Sequence, residues 1–269
     1  PLRPTQTTYK FDDADYLVNF AQTNGMQVRG HTLVWHNQTP KWLSDGNFSR
    51  EHLIAILREH ITTVVARYRG RISAWDVVNE AIDDQTGNLR ETIWSKGIGA
   101  EYIEMAFRFA RDADPNVKLI YNDYSGEATN KKSDAIYNLV KGLKDKGAPI
   151  DGVGLQSHFT LSAPQMQSID ANMKRLRALG LEVQITELDV RIPAPATETN
   201  LTRQAQIYRE YLQTCLANDN CKYFVTWGFT DKYSWIPGSF PGFGAALVFD
   251  DKYQPKAAYR AMMDVLAGK

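Results

Sequence analysis

The chain has only two cysteines, five histidines and no excess charge of either sign. Each scarcity removes a class of protein. Cys215 and Cys221, in the stretch CLANDNC, are too sparse for a zinc site and do not form a CxxC redox motif. They are either two buried thiols or a disulfide stapling a helix end to the next strand, which implies an oxidising compartment. With 31 basic and 31 acidic residues there is no global electrostatic case for nucleic acid or anionic lipid, and no nucleic-acid or membrane partner is expected. No apolar run approaches the roughly 20 residues needed to cross a bilayer. No signal peptide opens the chain, and the start PLRPTQTTYK, without Met, reads as a processed or trimmed terminus. There is no GxGxxG and no GxxxxGK[ST], so nucleotide-binding loops are excluded. His31, His36 and His158 could join carboxylates around a metal on paper, but no HxH or HExxH spacing occurs, and no metal is expected.

What the chain does have is a rhythm. Its 269 residues are 43% hydrophobic and 23% charged, values of a globular protein with a sizeable core. Strand-like apolar runs occur at 28–36, 72–80, 117–124, 151–159, 183–190 and 222–229. Helical spacing marks 12–24, 51–69 and segments near 101–112, 132–146, 164–180, 202–218 and 256–266. For the first helix, Asp12 or Asp13 is the expected cap and Gly25 the stop.

Alternating strands and helices predict an α/β fold with a parallel sheet covered by helices. A doubly wound sheet and a (β/α)8 TIM barrel both fit, and the strand ends favour the barrel. Nearly every strand finishes in polar or aromatic residues: His31, Trp35 and His36; Asn79 and Glu80; Asn122 and Tyr124; Gln156 and His158; Glu187 and Asp189; Trp227. In a barrel these ends converge on one face, where barrel enzymes keep their active sites. The six runs fall short of eight strands, so the first β-α-β unit of the barrel is expected to be missing from the given chain. Residues 1–269 are read as a single, N-terminally incomplete catalytic domain.

Glu80 and Glu187 each sit at a strand end, three strands apart, which in an eight-stranded barrel places them across its mouth. One such Glu alone is as well explained by a structural ion pair. Two facing carboxylates suit glycoside hydrolysis, one as a protonated acid and one as an anion that attacks the sugar or activates water. The surroundings fit sugar. Trp35, Trp227, Trp235, Tyr124 and Tyr233 offer flat faces, and Asn79, Gln156, His31 and His158 can bond hydroxyls. Three sequons, at Asn37, Asn47 and Asn200, permit glycosylation.

The segments GHTLVWHNQTPKWL, WDVVNEAIDD, YNDY, GVGLQSHF, QITELDV and TWGFTDKYSW occur in that order. Together they resemble the endo-1,4-β-xylanases of glycoside hydrolase family 10, from about residue 12 to the C-terminus. The resemblance implies a retaining (β/α)8-barrel enzyme, secreted and monomeric, that needs no cofactor and acts on xylan and xylo-oligosaccharides. It is also compatible with an accessory carbohydrate-binding module outside the chain. It assigns Glu80 as acid/base and Glu187 as nucleophile. Asn79 would bind the 2-hydroxyl of the reacting sugar. His158 would bond Glu187, with Asp189 supporting it, and Gln156 would lie near the two carboxylates. His31, Trp35 and Asn122 would line the glycone side, with Trp227 and Trp235 around the reacting subsite. The family's second strand, whose residues also contact the glycone, has no counterpart here. A glucan- or mannan-specific relative and a non-catalytic glycan-binding protein are the competing readings.

Overall fold

The computed structural model describes residues 2–268, which form two compact units. One holds the residues up to Asp123 together with Ala135–Gly152; the other holds Tyr124–Asp134 and the residues from Val153 onward. The strands are β1 (Arg29–Gly30), β2 (Ala74–Asn79), β3 (Lys118–Asp123), β4 (Gly152–Leu155), β5 (His158–Thr160), β6 (Glu182–Pro193), β7 (Cys221–Thr226) and β8 (Phe243–Gly244). Helices lie between most of them, as the α/β rhythm predicts. No helix among the described residues is long and apolar enough to cross a membrane.

In the first unit β1, β2 and β3 pair in parallel, with Arg29 opposite Ala74 and Asn79 opposite Asn122. All six residues of β2 are buried, so the strand has no solvent face and reads as an apolar run broken by Asp76 and closed by Asn79. Helix Tyr102–Ala113 buries Tyr102, Ile103, Ala106, Phe107 and Ala110, a 3–4 spacing that forms one stripe. Helix Arg50–Arg67 contributes Leu57, Ile61 and Val65, each fully buried. Burial of side chains of this size stabilises by roughly 1.5–3 kcal/mol each. Ser49 starts that helix by accepting the His52 N–H at 3.2 Å.

Two sequence expectations need correction here. The run 28–36 supplies only two strand residues. After Gly30 the chain leaves a regular ladder but stays beside β2, where Leu33 and Val34 donate to Asp76 O and Val77 O at 3.0 Å each. Glycine is required at position 30, since a Cβ there would lie 2.1 Å from the Trp75 ring. The first helix spans Asp12–Thr23, but its N-cap is Phe11. Asp12, Asp13 and Asp15 lie inside the first turn, where their charge complements the helix dipole rather than capping it.

In the second unit β5 and β7 both pair in parallel with β6, and β8 pairs with it antiparallel. The predicted strand 151–159 breaks into β4 and β5 at Gln156 and Ser157, where Ser157 adopts φ +69°. The predicted strand 183–190 runs on to Pro193, because beyond its pairing with β7 it meets β5 and then β8. Ile169, Val183, Ile185, Leu188, Val190 and Ile207 form the core of this unit.

Cys215, in the last turn of helix Glu198–Leu216, and Cys221, the first residue of β7, are joined as a disulfide with Cα atoms 5.3 Å apart. The alternative of two free thiols is excluded. Closing so short a loop removes little unfolded-state entropy, so the Cys215→Ser/Cys221→Ser double variant should lose about 2 kcal/mol of stability, read from denaturant midpoints at unchanged m-value. A loss above about 4 kcal/mol would mean the bridge does more than close this loop.

Candidate active site

In the first unit Glu80 directly follows the last residue of β2, and strand pairing fixes its backbone. Its N–H donates to Asn122 O at 2.8 Å, and its carbonyl accepts Arg90 Nε at 3.1 Å. Its φ is +57°, a left-handed conformation that costs a non-glycine residue about 1 kcal/mol or more. The residue is 9% exposed. Its Oε2 accepts Trp35 Nε1 at 2.9 Å, and its Oε1 accepts Asn79 Nδ2 at 3.1 Å. His36 Nδ1 lies 3.8 Å from Oε2. Asn122 Nδ2 donates to Asn79 Oδ1 at 2.8 Å, so the two asparagines and Glu80 form one chain of polar contacts.

Beneath this group lies Asp76, fully buried in β2. Its Oδ1 accepts Arg29 Nη2 at 2.7 Å and its Oδ2 meets His31 Nδ1 at 3.0 Å. Burial pushes this carboxyl toward the neutral form, but the Arg29 charge and the His31 contact outweigh it, and the pKa is lowered. Asp76 thereby anchors His31. A cavity of about 270 Å³ in this unit is lined by His31, Trp35, Trp42, His60 and Trp94 among others. His31 and Trp35 therefore share one wall.

The second unit builds the surroundings of Glu187. Along β6 side chains alternate between faces, so Glu187 and Asp189 point the same way. The register of β5 against β6 sets His158 opposite Asp189. The imidazole spans the two acids, with Nε2 3.2 Å from Glu187 Oε2 and Nδ1 3.0 Å from Asp189 Oδ2. Burial alone would lower the pKa of His158, but the hydrogen bonds and charges of Asp189 and Glu187 prevail and push it up to about 9. At neutral pH it is an imidazolium donating from both nitrogens. Trp235 Nε1 donates to the same Asp189 oxygen at 2.8 Å, and its ring meets His158 edge-on with centroids 5.0 Å apart. The loop position of Trp235 is thus tied to the strand that carries Glu187.

Gln156 is buried, and its carbonyl accepts the Glu187 N–H at 3.1 Å. Trp227 follows β7, donates its N–H to Leu188 O at 3.0 Å and leaves 37% of its surface exposed. Tyr124 is less open than expected, because the Lys132 ammonium sits 3.5 Å from its ring centroid and takes one face.

Three contributors escaped the sequence reading. Asp76 was recognisable in principle, as a lone charged residue in a buried strand that must find a partner. Glu127 and Ser157 gave no such signal. Glu127 lies in the polar stretch SGEATN yet is buried, and its Oε1 accepts the Ser157 N–H at 2.9 Å. Ser157 also shares a 2.8 Å hydrogen bond with Tyr211. These contacts hold the left-handed Ser157 between Gln156 and His158, fixing both neighbours.

The model of glycosyl hydrolase family 10 matches residues 1–265. Endo-1,4-beta-xylanase B of Thermotoga neapolitana is 46% identical over 269 residues, covering 100% of this chain and 78% of its own length. The crystal structure of native xylanase 10B from Thermotoga maritima superposes with a TM-score of 0.97 at 48% identity, over 99% of this chain and 82% of that one. Xylanase 10B from Thermotoga petrophila RKU-1, solved in complex with xylobiose, gives the same values.

The His158 geometry generates a pH test. Its pKa rises from the ordinary 6.5 to about 9 on folding. The associated stability is fully present below pH 6.5 and is lost as pH rises through about 9. The shift corresponds to a few kcal/mol, on the order of 3. Denaturant unfolding of the wild type and of His158→Gln between pH 6 and 10 should show the gap between them closing with rising pH. A gap that stays constant would sink the idea of a buried imidazolium.

Proposed function

The chain belongs to glycosyl hydrolase family 10, and from that membership we infer that it is a retaining endo-1,4-β-xylanase, cleaving internal β-1,4-xylosidic bonds of xylan through a glycosyl-enzyme ester. Its fold class is the (β/α)8 barrel of that family. The observation that carries the mechanism is the placement of Glu187, a carboxylate on a rigid strand held by a cationic histidine.

Glu187 is the nucleophile. An imidazolium donating to one of its oxygens fixes its orientation for attack on the anomeric carbon. Glu80 is the acid/base. Trp35 and Asn79 grip its two oxygens, so the carboxyl cannot rotate away from the glycosidic oxygen it must protonate. When Glu187 attacks, Glu80 delivers its proton to the departing sugar. With Glu187 esterified, Glu80 takes a proton from water, which then cleaves the ester. Retention requires the two carboxyls to work about 5–5.5 Å apart, too close to admit a water in the first step.

Asn79, already bonded to Glu80, binds the 2-hydroxyl of the reacting sugar, a contact that strengthens in the transition state. His31, Trp35 and Asn122 serve the glycone side, and Gln156 and Tyr124 complete the lining. Trp227 and Trp235 bound the reacting subsite, where two indoles crowd a C6 hydroxymethyl and favour xylose over glucose. Residues 1–269 act as one catalytic domain and as a monomer. The disulfide supports a secreted enzyme, since such bridges persist in oxidising compartments.

Leaving-group dependence tests the roles. Glu187→Ala should abolish turnover of aryl xylobiosides whatever the leaving group. Glu80→Ala should lose about 10²–10⁴-fold on xylan but far less on a dinitrophenyl xylobioside, which departs without a proton. Wild-type turnover of xylan by both variants would rule out the assignment.

A further inference from the structure

Phe229, Tyr233 and Tyr253 are exposed aromatic rings with no part in the mechanism above. Phe229 is 54% exposed, Tyr233 is 73% exposed and Tyr253 is 44% exposed. They form a cluster. Phe229 and Tyr253 lie with centroids 6.1 Å apart and planes 24° from parallel. The Tyr253 hydroxyl donates to the Tyr233 hydroxyl at 3.3 Å. The Lys232 ammonium stands 5.4 Å from the Tyr233 centroid and 5.1 Å from that of Tyr253. Resting on the xylanase reading, we propose that Phe229, Tyr233 and Tyr253 form a platform that binds xylose units of the polysaccharide remote from the bond being cut.

The platform is built rather than incidental. Tyr253 has φ +61°, a conformation that glycine would adopt without strain, yet the position carries a large ring. Two segments are laced together to hold it. Phe249 N–H donates to Phe229 O and Asp231 N–H to Phe249 O, both at 2.9 Å. Thr230 Oγ1 donates to Asp250 O at 2.6 Å. Below them Lys256 Nζ pairs with Asp231 Oδ2 at 2.9 Å and donates to Ala245 O at 2.6 Å, while Asp231 Oδ1 accepts the Leu247 N–H at 2.8 Å. Phe229 is braced from one side by Phe249, whose ring meets it edge-on at 6.0 Å. Such fixed rings lose little entropy when a ligand arrives.

The chemistry points to a neutral sugar chain. A pyranose offers an apolar C–H face to an aromatic ring and hydroxyls at its rim. Here the rings carry two phenol hydroxyls, and the Lys232 ammonium over the two tyrosine rings adds a donor; both can bond those hydroxyls. Single-stranded nucleic acid also stacks on aromatics, but it needs a basic groove along its backbone, and here Lys232 and Lys252 are set against Asp250 and Asp251 in a chain of zero net charge. The cluster is close in sequence to the substrate site proposed above. Phe229 lies two residues beyond Trp227, and Tyr233 lies two residues before Trp235.

Substrate length provides the test. The Tyr233→Ala/Tyr253→Ala variant should lower kcat/KM on xylan and xylohexaose about tenfold, through KM, and leave it within about twofold on an aryl xylobioside too short to reach the platform. In a Glu187→Ala background the same pair should weaken xylohexaose binding by calorimetry but not xylobiose binding. Tyr233→Phe/Tyr253→Phe, which keeps the rings, should retain most of the affinity. Equal effects on long and short substrates, or none on either, would overturn the platform while the xylanase reading stood. A wild-type protein inactive on xylan would instead remove that reading. Should the double alanine variant not fold, Tyr233→Ser alone, at the most exposed ring, should still raise KM on xylohexaose selectively, and an unchanged KM would overturn the proposal.

Discussion

A buried carboxylate has to be matched by a positive charge or by donors, and this requirement organises the molecule. Its sharpest case is His158, held between Glu187 and Asp189. Two acids on one face of β6 repel each other, and burial amplifies the repulsion. An imidazolium between them turns that repulsion into two charge-assisted hydrogen bonds. Much else follows from placing it there. The β5–β6 register must set His158 opposite Asp189, Ser157 must turn left-handed to deliver the ring, and Glu127 must accept the Ser157 N–H. Trp235 then closes on Asp189, which ties an aromatic wall to the same charge network.

The other unit solves the same problem with different residues. Asp76 is matched by Arg29 and His31, and Glu80 by the neutral donors of Trp35 and Asn79. His36 adds a further contact there, its Nδ1 3.8 Å from the Glu80 carboxylate.

Much of this was legible in the sequence because it follows strand ends. A parallel strand is an apolar run, so a Glu, Asn or His closing it is conspicuous, and Glu80, Glu187, His158 and Asp189 could be singled out; the links His158–Glu187 and His158–Asp189 came only from the family resemblance. The disulfide could be anticipated from two cysteines at a helix–strand junction. Less visible was whatever depends on distant segments meeting. Glu127 sits in a stretch with the composition of a solvated loop, and only tertiary contact buries it. The segment 28–36 has the composition of a strand, but Trp75 presses on Gly30 and the chain continues past it without a regular ladder. Phe11 holds the N-cap position without a side-chain cap bond, while the three aspartates that follow lie in the first turn, where their charge serves the dipole.

Backbone strain follows the same geography. The non-glycine residues with positive φ are Gln38, Glu80, Ser125, Ser157, Ala245 and Tyr253, and several come within two residues of a strand's last position. Glycine would relieve each of them at once. It would also delete the carboxyl at 80 and the hydroxyl that meets Tyr211 at 157. Strain of about 1–3 kcal/mol at such a position persists only where neighbouring hydrogen bonds over-determine the turn. Glu80 meets that condition through Asn122 and Arg90, and Ser157 through Glu127. Sharp turns at the ends of rigid strands leave the attached side chains little freedom to reorient. A side chain held in this way stays in one orientation without having to be ordered again each time it acts.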